Sequence, residues 1–118
     1  MKEVSRVFTY NGNEYRAVFN LNAMEEIQQE YGSIAKWTEL TDGKESEVDI
    51  KALVFGIGAM INEAIDIDNE TREEKIPFLT HKQVARIVSD IGFSKASETM
   101  QGLVIDSVKD TSDESKNE

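Results

Sequence analysis

The side chains able to do chemistry are few, and their spacing is wrong for most of it. His81 is the single histidine and there is no cysteine. A histidine-pair zinc site, a thiolate metal site, a cysteine nucleophile and a serine-histidine triad therefore each lack a part. His81 follows Thr80, a residue able to cap a helix, and reads as an exposed helix-start residue. Asp66-Ile67-Asp68-Asn69-Glu70 imitates the first half of a calcium loop. Thr71, however, stands where the sharp-turn glycine belongs and Pro77 where the bidentate glutamate belongs. Gly56-Ile57-Gly58 has neither the third glycine nor the lysine-serine pair of a phosphate loop, and it lies inside a helical apolar stripe. Glu25, Glu26 and Glu30 have carboxylates for acid-base work, but at helix-face spacing without an apolar pocket they form the wet side of a helix. Asn69-Glu70-Thr71 matches a glycosylation acceptor, and Met1-Lys2-Glu3 opens no apolar secretory region that would give the match meaning. No catalytic, cofactor-binding or metal-binding residue is expected.

The elements that would position any site are more legible. Residues 5–10 and 14–19 alternate as strands around Asn11-Gly12, the pair that tolerates the positive φ of a type I′ turn. A two-residue loop there sets Phe8 against Tyr15, Arg6 against Ala17 and Val4 against Phe19, so the large apolar groups share one side. Val7, Thr9, Glu14, Arg16 and Val18 fall on a mixed, half-exposed opposite side. A lone hairpin is marginal in water, so the aromatic side must lie on helices. Asn22 with Glu25 offers a helix start, with Asn20 as a competing cap, and Leu21, Met24, Ile27 and Tyr31 repeat at helical spacing up to Gly32. Ser33 begins a short helix carrying Ile34, Trp37 and Leu40, which ends at Thr41-Asp42-Gly43.

Ser46 with Asp49 precedes the widest stripe, Ile50, Leu53, Val54, Ile57, Met60, Ile61 and Ala64, which predicts the core helix over residues 50–65. Gly56 and Gly58 each cost such a helix about 1 kcal/mol relative to alanine, tolerable where another backbone approaches closely. Residues 66–77 read as a polar loop. Thr80 and Gln83 form a capping box, with Leu79 and Val84 as a hydrophobic staple, ahead of Ile87, Val88, Ile91 and the stop Gly92. A last helix starts near Ser94 with Ala96, Met100, Leu103 and Val104. The fold class is therefore α+β, an N-terminal antiparallel β-hairpin packed on a bundle of four to five helices, with one domain over 1–108 and a disordered acidic tail over 109–118.

The totals set the surroundings. A chain of 118 residues with 39% hydrophobic content supports one modest core. Twenty-three acidic against 13 basic residues give a charge of -10, which repels phosphate backbones and anionic lipid surfaces, so neither nucleic acid nor membrane is an expected partner. The longest apolar stretch, 52–61, is far shorter than the roughly 20 residues a bilayer requires, and the expected location is the cytoplasm. Trp37, alone on a short helix with Ile34 and Leu40, either anchors an interface or covers the hairpin. Met24, Met60 and Met100 fill a core or serve an adaptable surface. Trp37, Met100, Leu103 and Val104 are the candidate partner-binding residues.

One resemblance rests on the first third of the chain. The order Tyr10-Asn11-Gly12-Asn13-Glu14-Tyr15, then Phe19-Asn20-Leu21-Asn22-Ala23 leading into Met24-Glu25-Glu26-Ile27, then Tyr31-Gly32-Ser33, resembles tail assembly chaperones of long-tailed bacteriophages. It is closest to the family that includes the gene transfer agent tail protein of this type. The likeness continues more weakly through residues 50–65 and the Leu79-Thr80 helix start, while the acidic stretch 66–75 departs from it. The resemblance implies a non-enzymatic protein, absent from the finished virion, that holds the tape measure protein soluble and recruits tail tube subunits. In that family an extended form often arises by translational frameshifting. It implies no site residue, and it leaves homo-oligomerisation open. Two other readings compete with it: an acidic mimic of nucleic acid that occupies a basic groove on a host DNA-handling protein, and a structural tail or connector component.

Overall fold

A computed structural model describes residues 4–116, and the side chains of residues 4–109. Strands β1 (Ser5–Tyr10) and β2 (Asn13–Val18) pair antiparallel around Asn11 and Gly12, whose φ values are 52° and 79°. The register is the one such a turn dictates, with Phe8 opposite Tyr15 and Arg6 opposite Ala17. Phe8, Ala17 and Phe19 are buried, and Val4 and Tyr15 pack against the same core. On the other side Val7 is half exposed, but Val18 is buried, contrary to the mixed face expected there. Arg16, on that same side, pairs with Asp68 at 3.0 Å across from the long third helix, which covers this end of the strand.

Helix α1 (Leu21–Tyr31) is capped by Asn20, whose Oδ1 accepts from Ala23 N at 3.2 Å. Asn20 keeps extended dihedrals, φ -134° and ψ -171°, and is thus the half-in residue. Asn22, the expected cap, already lies in the first turn, and its amide joins that of Asn20 on the Glu63 carboxylate at 3.0 and 2.7 Å. Ser33 caps α2 (Ile34–Thr41) through Lys36 N, and Asp49 caps α3 (Ile50–Asn69) through Ala52 N, both at 3.0 Å. α3 therefore runs past Ile65, and the expected loop begins only at Glu70. Both halves of the capping box form at α4 (His81–Ile91): Thr80 Oγ1 accepts from Gln83 N, and Gln83 Oε1 accepts from Thr80 N. α5 (Phe93–Lys116) completes an α+β fold of one hairpin and five helices. The tail expected over 109–118 falls, from residue 110 on, outside the residues whose side chains are described.

α3 is the axis of the core. β2, α1, α2, α4 and α5 all pack on it, and Ala52, Leu53, Val54, Ile57, Met60, Ile61 and Ala64 are buried along it. Among the described residues no helix is long and apolar enough to cross a membrane.

The closest approach is made by Trp37. Its indole lies on α3 at Gly56, where an added Cβ would sit 2.2 Å from Cζ2, and its Nε1 donates to Ala52 O at 3.0 Å. In a helix the side chain at position i+4 stands over the carbonyl of residue i. With glycine at 56 the second lone pair of the Ala52 carbonyl is open to the indole. Gly58 differs, since a Cβ there would meet Val84 Cγ2 at 3.4 Å, an ordinary contact. The two glycines are thus separable by experiment. In urea denaturation Gly56→Ala should lose at least about 2 kcal/mol by overpacking against Trp37. Gly58→Ala should lose nothing and gain up to about 1 kcal/mol of helix propensity. Equal effects would disprove this account of the α2–α3 contact.

Candidate functional groove between the α2–α3 connection and α5

The sequence-level candidates for chemistry are dispersed. His81 is exposed at the first position of α4, and Glu25, Glu26 and Glu30 are exposed on α1. Asp66, Asp68 and Asn69 belong to the last turns of α3 and not to a loop, and Gly56 and Gly58 lie in its middle. Among the described residues no group of three or more histidine, aspartate or glutamate side chains is placed to hold a metal. The Tyr31 phenol, packed edge-on to Phe55 at 5.6 Å between ring centres, has its pKa raised, chiefly by burial and then by Asp49 and Glu30.

A concavity of about 1380 Å³ lies between residues 42–50 and α5. Its position follows from a hydrogen-bond chain. Thr41, fully buried at the end of α2, donates through Oγ1 to Trp37 O at 3.0 Å. That hydroxyl accepts from Gln101 Nε2 at 2.8 Å, and the Thr41 carbonyl accepts from Ser97 Oγ at 2.6 Å. These bonds tie α5 to the end of α2 and leave the connection to Asp49 as the opposite wall. A bond from Asp49 N to Leu40 O at 2.7 Å closes that connection back on α2. Ser97 and Gln101, which line the groove, thus each direct a donor inward to Thr41.

The surface of the groove is apolar. Ile50, Phe93, Ile105 and Val108 line it while remaining 49, 51, 60 and 42% exposed. The rim carries both signs of charge, with Asp42, Glu47 and Glu98 beside Lys44 and Lys109. An open trough of this size exceeds the about 300–1,000 Å³ of small-molecule pockets and suits a stretch of polypeptide.

The four residues singled out from the sequence stand behind this surface. Trp37, Met100 and Leu103 are wholly buried, and Val104, 8% exposed, reaches the groove only with its edge. Their burial has a simple cause: Trp37 is the peg between α2 and α3, and Met100 and Leu103 are the inward stripe of α5. The residues a partner would meet are Ile105 and Val108 on α5, Phe93 at its start and Ile50 at the start of α3. A signal for two of them exists in the sequence, because Ile105 and Val108 are apolar residues set off the Ala96, Met100, Leu103 stripe. No family model, no curated protein and no solved structure matches the chain.

Two outcomes follow for this groove. Ser97→Ala should cost about 1–2 kcal/mol in chemical denaturation, because it leaves the buried Thr41 carbonyl without its partner. Ile105→Ser should leave stability within about 0.5 kcal/mol and reduce binding of a hydrophobic fluorescent dye. The phenol of Tyr31 supplies a pH test. A raised folded pKa means that the neutral phenol is favoured in the native state. The stability it contributes is full below the unfolded tyrosine value near 10 and is lost as pH rises through the folded value. Absorbance titration should show one late tyrosine that disappears in Tyr31→Phe.

Proposed function

We propose that this protein is a non-enzymatic tail assembly chaperone of a phage or prophage, acting in the bacterial cytoplasm. It shelters an apolar-striped helix of the tape measure protein in the groove between residues 42–50 and α5, and it presents the complex to tail tube subunits. The observation that carries the reading is the exposure of Ile50, Phe93, Ile105 and Val108 in one trough. Apolar side chains gathered in one concavity form a surface that a partner can cover. A helix laid in a trough is read through anchors three and four residues apart, and tape measure proteins are long helices whose apolar stripes aggregate when bare. The family resemblance of residues 10–33 supports the choice of partner. The net charge of -10 gives the covered complex its solubility and opposes self-association.

Co-expression with the tape measure protein of the same phage or prophage tests the proposal. The natural chain should raise the soluble fraction of the tape measure severalfold. Ile105→Glu with Val108→Glu should abolish the gain while the variant itself stays folded by circular dichroism. A tape measure equally insoluble with and without this chain would refute the function, and a double variant as effective as the natural chain would refute the groove as its seat.

A further inference from the structure

Two asparagines of α3 hold a piece of backbone. Asn69 Oδ1 accepts from Ile76 N at 2.8 Å while its Nδ2 donates to Ile76 O at 2.9 Å. Asn62 treats Leu79 in the same way, at 2.8 and 3.0 Å. Each side-chain amide thus engages both polar groups of one residue, as a neighbouring strand would. The residues between them form neither helix nor strand.

This pairing depends on a match of two periods. Seven residues of helix rise about 10.5 Å and return to nearly the same face. One turn of polyproline II advances about 9.3 Å over three residues, so positions 76 and 79 present their polar groups to the same side. In a flat strand, positions three apart face opposite ways, and one of the two pairs would be lost. Pro77 sets the backbone angle that polyproline II requires.

The clasp engages backbone, and Leu79 is the strap side chain that also packs on the core. Ile76, Pro77 and Phe78 are all exposed, Phe78 by 55%, and only Leu79 is half buried. An open space of about 510 Å³ remains among Asp66, Asn69, Ile76 and Phe78. A basic group has its own place at the end of α3, where Lys75 Nζ donates to the carbonyls of Asn69 and of Arg72, the latter at 2.8 Å, with the Asp66 and Glu70 carboxylates on the same turns.

The geometry points to α3 as a receptor for peptide backbone in the polyproline II form, filled here by the chain's own residues 76–79 and exchangeable for a partner's extended segment of basic-apolar-proline type. The site is separate from the groove beside α5. Release of the strap breaks four neutral hydrogen bonds and frees Leu79, the one strap side chain packed on the core.

The test uses the full chain carrying Ile76→Pro and Leu79→Pro, which removes both strap N–H donors and keeps the extended backbone. The probe is the capped hexapeptide Lys-Ile-Pro-Phe-Leu-Thr. On its addition, the side-chain amide signals of Asn62 and Asn69 in a nitrogen-15 spectrum should shift together and saturate. The same peptide N-methylated at Ile and Leu should bind at least about tenfold more weakly. Absence of a saturable shift, or equal binding of the methylated peptide, would overturn the inference. Hydrogen exchange on the natural chain decides independently, including where the double variant does not fold. The amides of Ile76 and Leu79 should be protected yet exchange at least about tenfold faster than those of Ile57 and Met60. Exchange only in step with those core amides, or no protection at all, would mean that the strap is not a replaceable ligand.

Discussion

The indole of Trp37 resting on the bare backbone at Gly56 is the constraint from which the exposed apolar trough follows. It fixes α2 against α3 at a distance that no side chain at position 56 would permit, and the Nε1 bond to Ala52 O fixes the rotation as well. With α2 set, Thr41 is buried at its end, and Ser97 and Gln101 bring α5 to it. α5 then stands beside residues 42–50, with its inward stripe in the core and Ile105 and Val108 outside it. The trough is therefore the remainder of a packing arrangement whose buried partner is a single large aromatic.

α3 serves as both core and clamp. Its apolar faces give the interior more buried residues than any other element, while its polar positions tie other segments down through carboxylates and amides. Glu63 gathers Asn20 and Asn22 at the start of α1, Asp68 takes Arg16 from β2, and Asn62 and Asn69 hold the strap. Ion pairs matter less here. Arg16 with Asp68 and Arg6 with Asp106 are both partly exposed, and such pairs are worth about 0–1 kcal/mol. The bonds that fix position are short-ranged and directional, and most of them use a side-chain amide.

Much of the local structure was legible because it is decided by neighbours in the chain. Asn11-Gly12 sets the hairpin register, Ser33 and Thr80 with Gln83 start their helices, and the stripe from Ile50 to Ala64 marks the core helix. The misreadings share a cause. Asn20 and Asn22 are equally able caps, and the choice went to the residue still extended as it leaves β2. α3 runs beyond Ile65 into a stretch that composition marks as loop, and Asp68 in that added turn meets Arg16 of β2. Val18 is buried on a face that the strand pattern alone marks as half wet, the face on which Arg16 meets Asp68 of α3.

The candidate sites divide along the same line. By itself the sequence determined the absence of cysteine, the lone histidine, the charge of -10, the strand register and the helix starts, since these depend on composition or on residues within a few positions of one another. Only the tertiary structure decided that Trp37, Met100 and Leu103 face inward, that Ile50, Phe93, Ile105 and Val108 share one trough, and that Asn62 and Asn69 meet a strap after the chain reverses. The reason is physical: a periodic pattern tells which residues lie on one face of an element. Which faces meet depends on a few close contacts between distant segments, here an indole over a glycine and two amides spaced to fit one turn of extended backbone.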